Sequence, residues 1–248
     1  MILLEKTEVV GWEHVIRGMR NPMNSWDKSD SEDSCWDCKS PDVCKKKNDE
    51  VSASFCVGAD DHELMMSLAK GGPVHAKYRR MIVVYVDITA PLYWWKEFDT
   101  YKVGTVANSC STMHKIHAKE FVLDDFSHEH FICTGITDPD YETNSFVMWT
   151  EDDGFEQRTS PEGLLVVTCH ALNHYRQLFL DTGDKKYWWQ MIQLLPSSYN
   201  QKRTIMLNYE VLVGIFKHRR NHKLDEWREF CKWIEDLPYS EIVTCNSD

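Results

Sequence analysis

The apolar positions of this chain follow strand-like spacing early and helical spacing late. Residues 7–19 alternate and then shift to helical spacing through Trp12, Val15, Ile16 and Met19, which predicts a strand entering a short helix. Residues 21–31 are dense in Asn, Pro, Ser and Asp and read as an ordered loop. A helix is predicted over 60–70, with Asp60 or Asp61 as its cap, Leu64, Met65 and Leu68 as its apolar face, and Gly71-Gly72-Pro73 as its stop. Residues 81–88 are apolar and β-branched, the pattern of a buried strand. Ala90-Pro91 then turns the chain into a helix bearing Trp94, Trp95 and Phe98, since proline is tolerated in a first helical turn.

Residues 135–160 are acidic with interspersed Gly and Pro, and predict a loop with a short strand or helix. Helical patterns follow at 164–181, 187–195, 200–216 and 224–237. Strands gathered early and helices late indicate an α+β chain rather than alternating βαβ units. Residues 32–54 are polar, contain three cysteines and carry Lys45-Lys46-Lys47, so they read as an exposed insertion. The expected organisation is an N-terminal extension over 1–70 that includes this insertion, followed by one α+β domain over 71–248. No internal repeat interrupts it.

Composition narrows the function. Hydrophobic residues make up 42% and charged residues 27%, an ordinary globular balance. A net charge of −11 argues against sequence-independent nucleic-acid binding, which needs a basic surface, while leaving room for a local phosphate pocket near 217–223. No apolar run approaches the roughly 20 residues that cross a bilayer, and the start lacks a secretory signal, so a cytoplasmic protein with no membrane partner is expected. Nine cysteines are then thiols or metal ligands. Cys35, Cys38, Cys44 and Cys56 form a C-x2-C pattern extended by two further thiols, which suits a structural zinc or four free thiols. His114, His117, His128 and His130 can assemble a metal site or lie scattered on the surface. No glycine-rich dinucleotide fingerprint and no phosphate loop is present.

Other polar residues stand where an apolar scaffold would not choose them. His75 lies at the lip of the predicted strand, as a surface turn residue or as a ring against a planar cofactor. Asn108-Ser109-Cys110-Ser111-Thr112 is a row of small hydrogen-bonding groups that suits a turn or an anion cradle. Asn208, predicted inside the 200–216 helix, is a satisfied core amide or a ligand contact. Arg219, Arg220 and His222 end that helix, where its dipole favours cations; Arg219 can also grip a phosphate or a pyrimidine carbonyl.

In order and spacing these residues resemble the flavin-dependent thymidylate synthase (ThyX) family. Its members carry a His, a Pro opening a helix, an Arg-His-Arg-x7-Ser signature, and then Leu-Pro, Asn and Arg in the C-terminal half. His75, Pro91, Leu195-Pro196, Asn208 and Arg219 stand at the family's separations. The signature falls on Thr100-Tyr101-Lys102, where only Lys102 keeps the basic character. Its serine falls on Cys110, or on Ser111 with one residue inserted. Asn108-Ser109 replaces the family's Asn-Glu, Met113-His114 its Arg-Tyr, and Gly214 a second Asn. The resemblance covers roughly residues 75–115 and 190–235.

The resemblance implies a ThyX-like mixed sheet with a long C-terminal helical bundle, assembled as a homotetramer. It implies FAD, with NADPH and methylene-tetrahydrofolate as co-substrates, and reductive methylation of dUMP to dTMP. His75, Tyr101, Lys102, Asn208 and His222 would contact the cofactor. Asn108, Cys110, Ser111 and Arg219 would contact the nucleotide, with Arg219 catalytic through polarisation of the uracil ring. Two alternatives are a related flavin- or nucleotide-dependent enzyme acting on another pyrimidine, and a non-catalytic nucleotide-binding protein on the same fold. A divergent copy of this kind suits a phage or bacterial source.

Overall fold

The computed structural model describes residues 1–32, 55–133, 135, 137, 139–152 and 154–245. In chain order the elements are β1 (Leu3–Val10), α1 (Trp12–Arg20), α2 (Ala59–Lys70), β2 (Val83–Pro91), α3 (Leu92–Phe98), β3 (Val106–Ser109), α4 (Thr112–Lys115) and α5 (Tyr141–Asn144). They continue as β4 (Phe146–Thr150), β5 (Glu156–Thr159), α6 (Pro161–Thr182), α7 (Lys185–Leu194), β6 (Asn200–Asn208), α8 (Tyr209–Arg219), α9 (Asp225–Glu235) and α10 (Glu241–Thr244). The described residues form two compact units. One comprises Met1 and the described residues within 90–95 and 110–201; the other comprises the described residues within 2–89, 96–109 and 202–245.

The second unit is built on a four-stranded sheet of order β1-β2-β6-β3. β1 runs antiparallel to β2 with a register shift between Glu5 and Glu8, where Lys6 takes a left-handed conformation. β3 runs antiparallel to β6, with Val106 opposite Met206. Period-two alternation decides which face is covered: Val84, Val86 and Ile88 are buried while Tyr85 between them is exposed. The opposite face carries polar rungs, in which Asp87 accepts from Thr204 Oγ1 at 2.7 Å and Lys202 pairs with Glu5 at 3.0 Å.

Two expectations are corrected here. The predicted 200–216 helix is strand β6 followed by helix α8. Ile205 and Leu207 are buried while Thr204 and Met206 are not, so the first half obeys the strand period, and Asn208 stands at the junction. Helix α2 takes its cap from outside itself. Asp30 accepts from the backbone N–H of Asp60 (2.9 Å) and of Asp61 (3.1 Å), and the buried face runs through Asp61, Met65 and Ala69.

The first unit is largely helical. Ser160 caps α6 by accepting from Gly163 N, Pro161 opens the helix, and Gly183 ends it at φ +67°. Asp184 then caps α7, so α6 and α7 pack as a hairpin. Leu165, Cys169 and Leu172 of α6 and Met191 of α7 meet Ile116, Phe121 and Phe126 in the core. The acidic segment provides α5 and the hairpin β4–β5.

Candidate functional site

The sheet unit gathers polar side chains around the C-terminal end of α8. Arg219 is the last residue of that helix, and a short turn leads into α9. Arg219 Nε donates to Tyr101 Oη at 3.0 Å, and Nη1 donates to Glu97 Oε2 at 2.7 Å. Its Cζ lies 4.6 Å from the centre of the Trp227 ring, a cation–π distance. Trp227 Nε1 donates to the same Glu97 oxygen at 2.9 Å. His222 Nε2 stands 3.6 Å from it. His222 Nδ1 accepts from Leu224 N at 3.2 Å, so the ring proton of the neutral imidazole belongs on Nε2, facing Glu97.

Local structure explains the convergence. Glu97 lies at the end of α3, and the chain turns immediately after it: Thr100 N donates to Glu97 O and Tyr101 N to Phe98 O. That turn returns Tyr101 to the side of Glu97. Phe98 packs into the core against Trp227 and Phe230 of α9, which anchors the helix end. Beneath the cluster, burial pushes the Cys231 thiol up to about 12, with Glu235 adding to the shift and Arg219 opposing it; Cys231 is therefore a neutral thiol. The side chains of Arg219 and Glu97 are 19% and 35% exposed, so the pair faces solvent along one edge.

Of the residues singled out in the sequence, Arg219, Tyr101 and His222 come together here. Glu97 and Trp227 were not singled out, although an acidic residue near the end of an otherwise aromatic helix was the available signal. Asn208 is the N-cap of α8, its Oδ1 accepting from Val211 N at 3.1 Å, so it sits at the other end of the helix from Arg219. Gly104, at φ +79°, approaches so closely that an added Cβ would lie 3.0 Å from Asn208 Nδ2. Lys102 is exposed in the same connection. His75 is exposed at the start of a 3-10 segment, Ala76–Met81, with its ring beside Gly71.

Asn108 lies exposed in β3 opposite Thr204. In the helical unit, Cys110 is exposed and its carbonyl accepts from Gln201 Nε2 at 2.9 Å, while Ser111 caps α4. Trp94 and Trp95 are buried core residues. Cys35, Cys38 and Cys44 lie outside the described residues, and Cys56 is buried beside Val57. Among the described residues no group of three or more His, Cys, Asp or Glu is arranged to hold a metal, the four histidines included. Among the same residues, no helix is long and apolar enough to cross a membrane.

No family model and no curated protein matches the sequence. Solved structures nevertheless share its fold. A crystal structure of thymidylate synthase X (ThyX) from Helicobacter pylori with FAD and dUMP superposes with a TM-score of 0.57 at 15% identity, covering 97% of this chain and 94% of that one. A second H. pylori ThyX complex with FAD and dUMP gives 0.56 at 14% identity, over 96% of each chain. PolB from Streptomyces cacaoi, a UMP/dUMP methylase bound to 5-Br UMP, gives 0.52 at 12% identity, over 100% of this chain and 95% of that one. The fold is ThyX-like, an α+β chain with many helices and a sheet in which β1–β2 and β3–β6 pair antiparallel.

Proposed function

We propose that this protein is a flavin-dependent, thymidylate synthase-like enzyme that reductively methylates a uracil nucleotide, dUMP to dTMP in the simplest case. The observation that carries the reading is the presented guanidinium of Arg219, braced by Tyr101 and Glu97 on a ThyX-like fold. A guanidinium fixed before the ligand arrives can donate to a pyrimidine carbonyl and stabilise negative charge developing there without reorganising. The chain's contribution is orientation and electrostatics, and no covalent nucleophile is required.

The residues present suit a flavin. Among the described residues Thr105 Oγ1 is buried without a hydrogen-bond partner, in the connection that also carries exposed Lys102, so a hydroxyl and a cation stand ready for a polar, anionic group. Lys102 would neutralise phosphate, and Tyr101, Asn208, His222 and His75 would border the cofactor. Asn108, Cys110 and Ser111 are assigned to the nucleotide by resemblance alone. When bound, FAD supplies the redox chemistry, drawing on NADPH, with methylene-tetrahydrofolate as the carbon source. A homotetramer is the assembly this reading expects.

A second reading is a related enzyme acting on another pyrimidine nucleotide. It is favoured by Thr100-Tyr101-Lys102 in place of Arg-His-Arg, which changes the donors available to substrate and cofactor. The test is an absorbance spectrum of the purified protein after incubation with FAD and dUMP and removal of unbound ligand. Retained flavin absorbance, followed by dUMP-dependent turnover, is the expected result. Flavin retention with turnover on a different pyrimidine nucleotide would select the second reading, and loss of both ligands would overturn the enzyme assignment.

A further inference from the structure

Resting on that reading, we infer that Glu97 is the positioning residue that decides what Arg219 can bind: an uncharged ring carbonyl rather than a phosphate. An unencumbered guanidinium offers two forked edges, Nε with one Nη and the two Nη together, and either fork matches two oxygens of a phosphate. Here each fork has one donor already committed. Nε donates to Tyr101 Oη and Nη1 donates to Glu97 Oε2, while the Trp227 ring covers one face. Nη2 is left with no partner among the described residues, on a side chain that keeps 19% exposure.

What remains is a single-point donor. The Glu97 carboxylate also offsets the guanidinium charge, and Trp227 Nε1 holds that carboxylate in place. A dianionic phosphate would meet a nearly neutral pair and a half-used fork, and would approach the Glu97 carboxylate, an unfavourable contact for like charges. A carbonyl on a pyrimidine ring needs one donor, tolerates the neighbouring carboxylate and can offer its adjacent ring N–H to it. Glu97 Oε1 has no hydrogen-bond partner among the described residues, so an acceptor stands beside the donor. The edge of a uracil ring, carbonyl next to N–H, has the complementary order. The nucleotide phosphate must then be held by other groups.

The test compares affinities for dUMP, 2′-deoxyuridine and inorganic phosphate in the wild type, Glu97→Gln, Arg219→Met and the double variant. Glu97→Gln keeps the shape and one acceptor oxygen but removes the charge. It should raise the dUMP-to-deoxyuridine affinity ratio by about tenfold, the scale of one desolvated charge contact, and the rise should vanish when Arg219 is also Met. A ratio that does not change, or one that rises equally without Arg219, overturns the inference.

A second measurement needs no ligand. In the wild type the Nη signals of Arg219 in arginine-labelled 15N spectra, assigned by their loss in Arg219→Met, should be slowed by the grip of Glu97, and Glu97→Gln should release them. If the wild type binds neither dUMP nor deoxyuridine, the enzyme reading falls. The Arg219 signals then decide the Glu97 inference separately, identical spectra in wild type and Glu97→Gln overturning it and released signals sustaining the grip.

Discussion

Two of the arginine–carboxylate pairs in the sheet unit have almost equal length and opposite character. Arg20 Nε meets Asp61 Oδ1 at 2.6 Å with side chains 6% and 0% exposed. The other carboxylate oxygen accepts from Ser29 Oγ and Ser31 Oγ, both at 2.6 Å. Every direction around Asp61 is spent on the protein itself, tying the loop after α1 to helix α2. Arg219 and Glu97 meet at 2.7 Å, yet both keep solvent exposure and each keeps an atom uncommitted among the described residues. A closed pair fixes a fold, whereas a pair with a spare donor and a spare acceptor can read a ligand. The distance between the charges does not tell them apart; the remaining hydrogen-bond capacity does.

The largest test of the contrast is to break the closed pair. Asp61→Ala leaves Arg20 buried without its countercharge, a change that costs about 3–5 kcal/mol. It should appear as a lowered urea midpoint with the slope retained. Arg219→Ala should lower stability by about 1 kcal/mol or less, as expected for a partly solvated pair. Equal losses from the two substitutions would erase the distinction.

The second test exchanges the readout. Arg219→Ala should weaken dUMP binding about a hundredfold, the scale of losing a charged donor to a ligand carbonyl. Calorimetric titration measures this directly. A stability loss without a binding loss would place Arg219 with Arg20 as a structural residue.

Acid titration gives a third, smaller separation. Burial pushes Asp61 upward, but the Ser29 and Ser31 hydroxyls and the Arg20 guanidinium outweigh it and hold the carboxyl below its ordinary value. A carboxylate whose folded pKa is depressed contributes stability that is present above its unfolded value of about 4 and is lost as pH falls through the folded value. Chemical denaturation from neutral pH down through that range should show a falling midpoint. Asp61→Asn should flatten the dependence. An Asp61→Asn variant with the same slope as wild type would show that other carboxylates carry it.

How far these features could be read from the sequence depends on how local they are. The helix over α6 was legible from its apolar spacing over 164–181, while its start, capped by Ser160 and opened by Pro161, was not, because the residues before 164 read as loop. The α+β class followed from where each period occurs along the chain. The 200–216 helix was misread because its second half dominates the pattern, while the β6 half is held by neighbours β2 and β3 that are remote in sequence. Arg219, Tyr101 and His222 were found through the spacing of the family resemblance. Glu97 and Trp227 were not, because Trp227 reads as the buried face of an amphipathic helix and Glu97 as a solvent-facing charge beside buried aromatic residues. Only the contact of Glu97 with residues more than a hundred positions away reveals the arrangement. The Arg20–Asp61 pair was invisible for the same reason, since an aspartate in a first helical turn is ordinarily read as a cap.

Asn208 provides the finest test, because it is divided between the two kinds of polar group. Its Oδ1 is closed, capping α8 at Val211 N, while its Nδ2 makes no hydrogen bond among the described residues and faces Gly104. Asn208→Asp keeps the capping acceptor and adds negative charge at the positive end of the helix dipole, so stability should hold or rise by a few tenths of a kcal/mol. Asn208→Ala removes the cap and should cost about 1 kcal/mol. If Asn208 is only a cap, the two variants should part in thermal denaturation and retain flavin equally. If its amide N–H also borders the cofactor, both should lose flavin affinity by a few fold, Asp despite its intact stability. The Asp variant therefore separates holding the helix from holding a ligand, since it preserves the first function while removing the donor that the second requires.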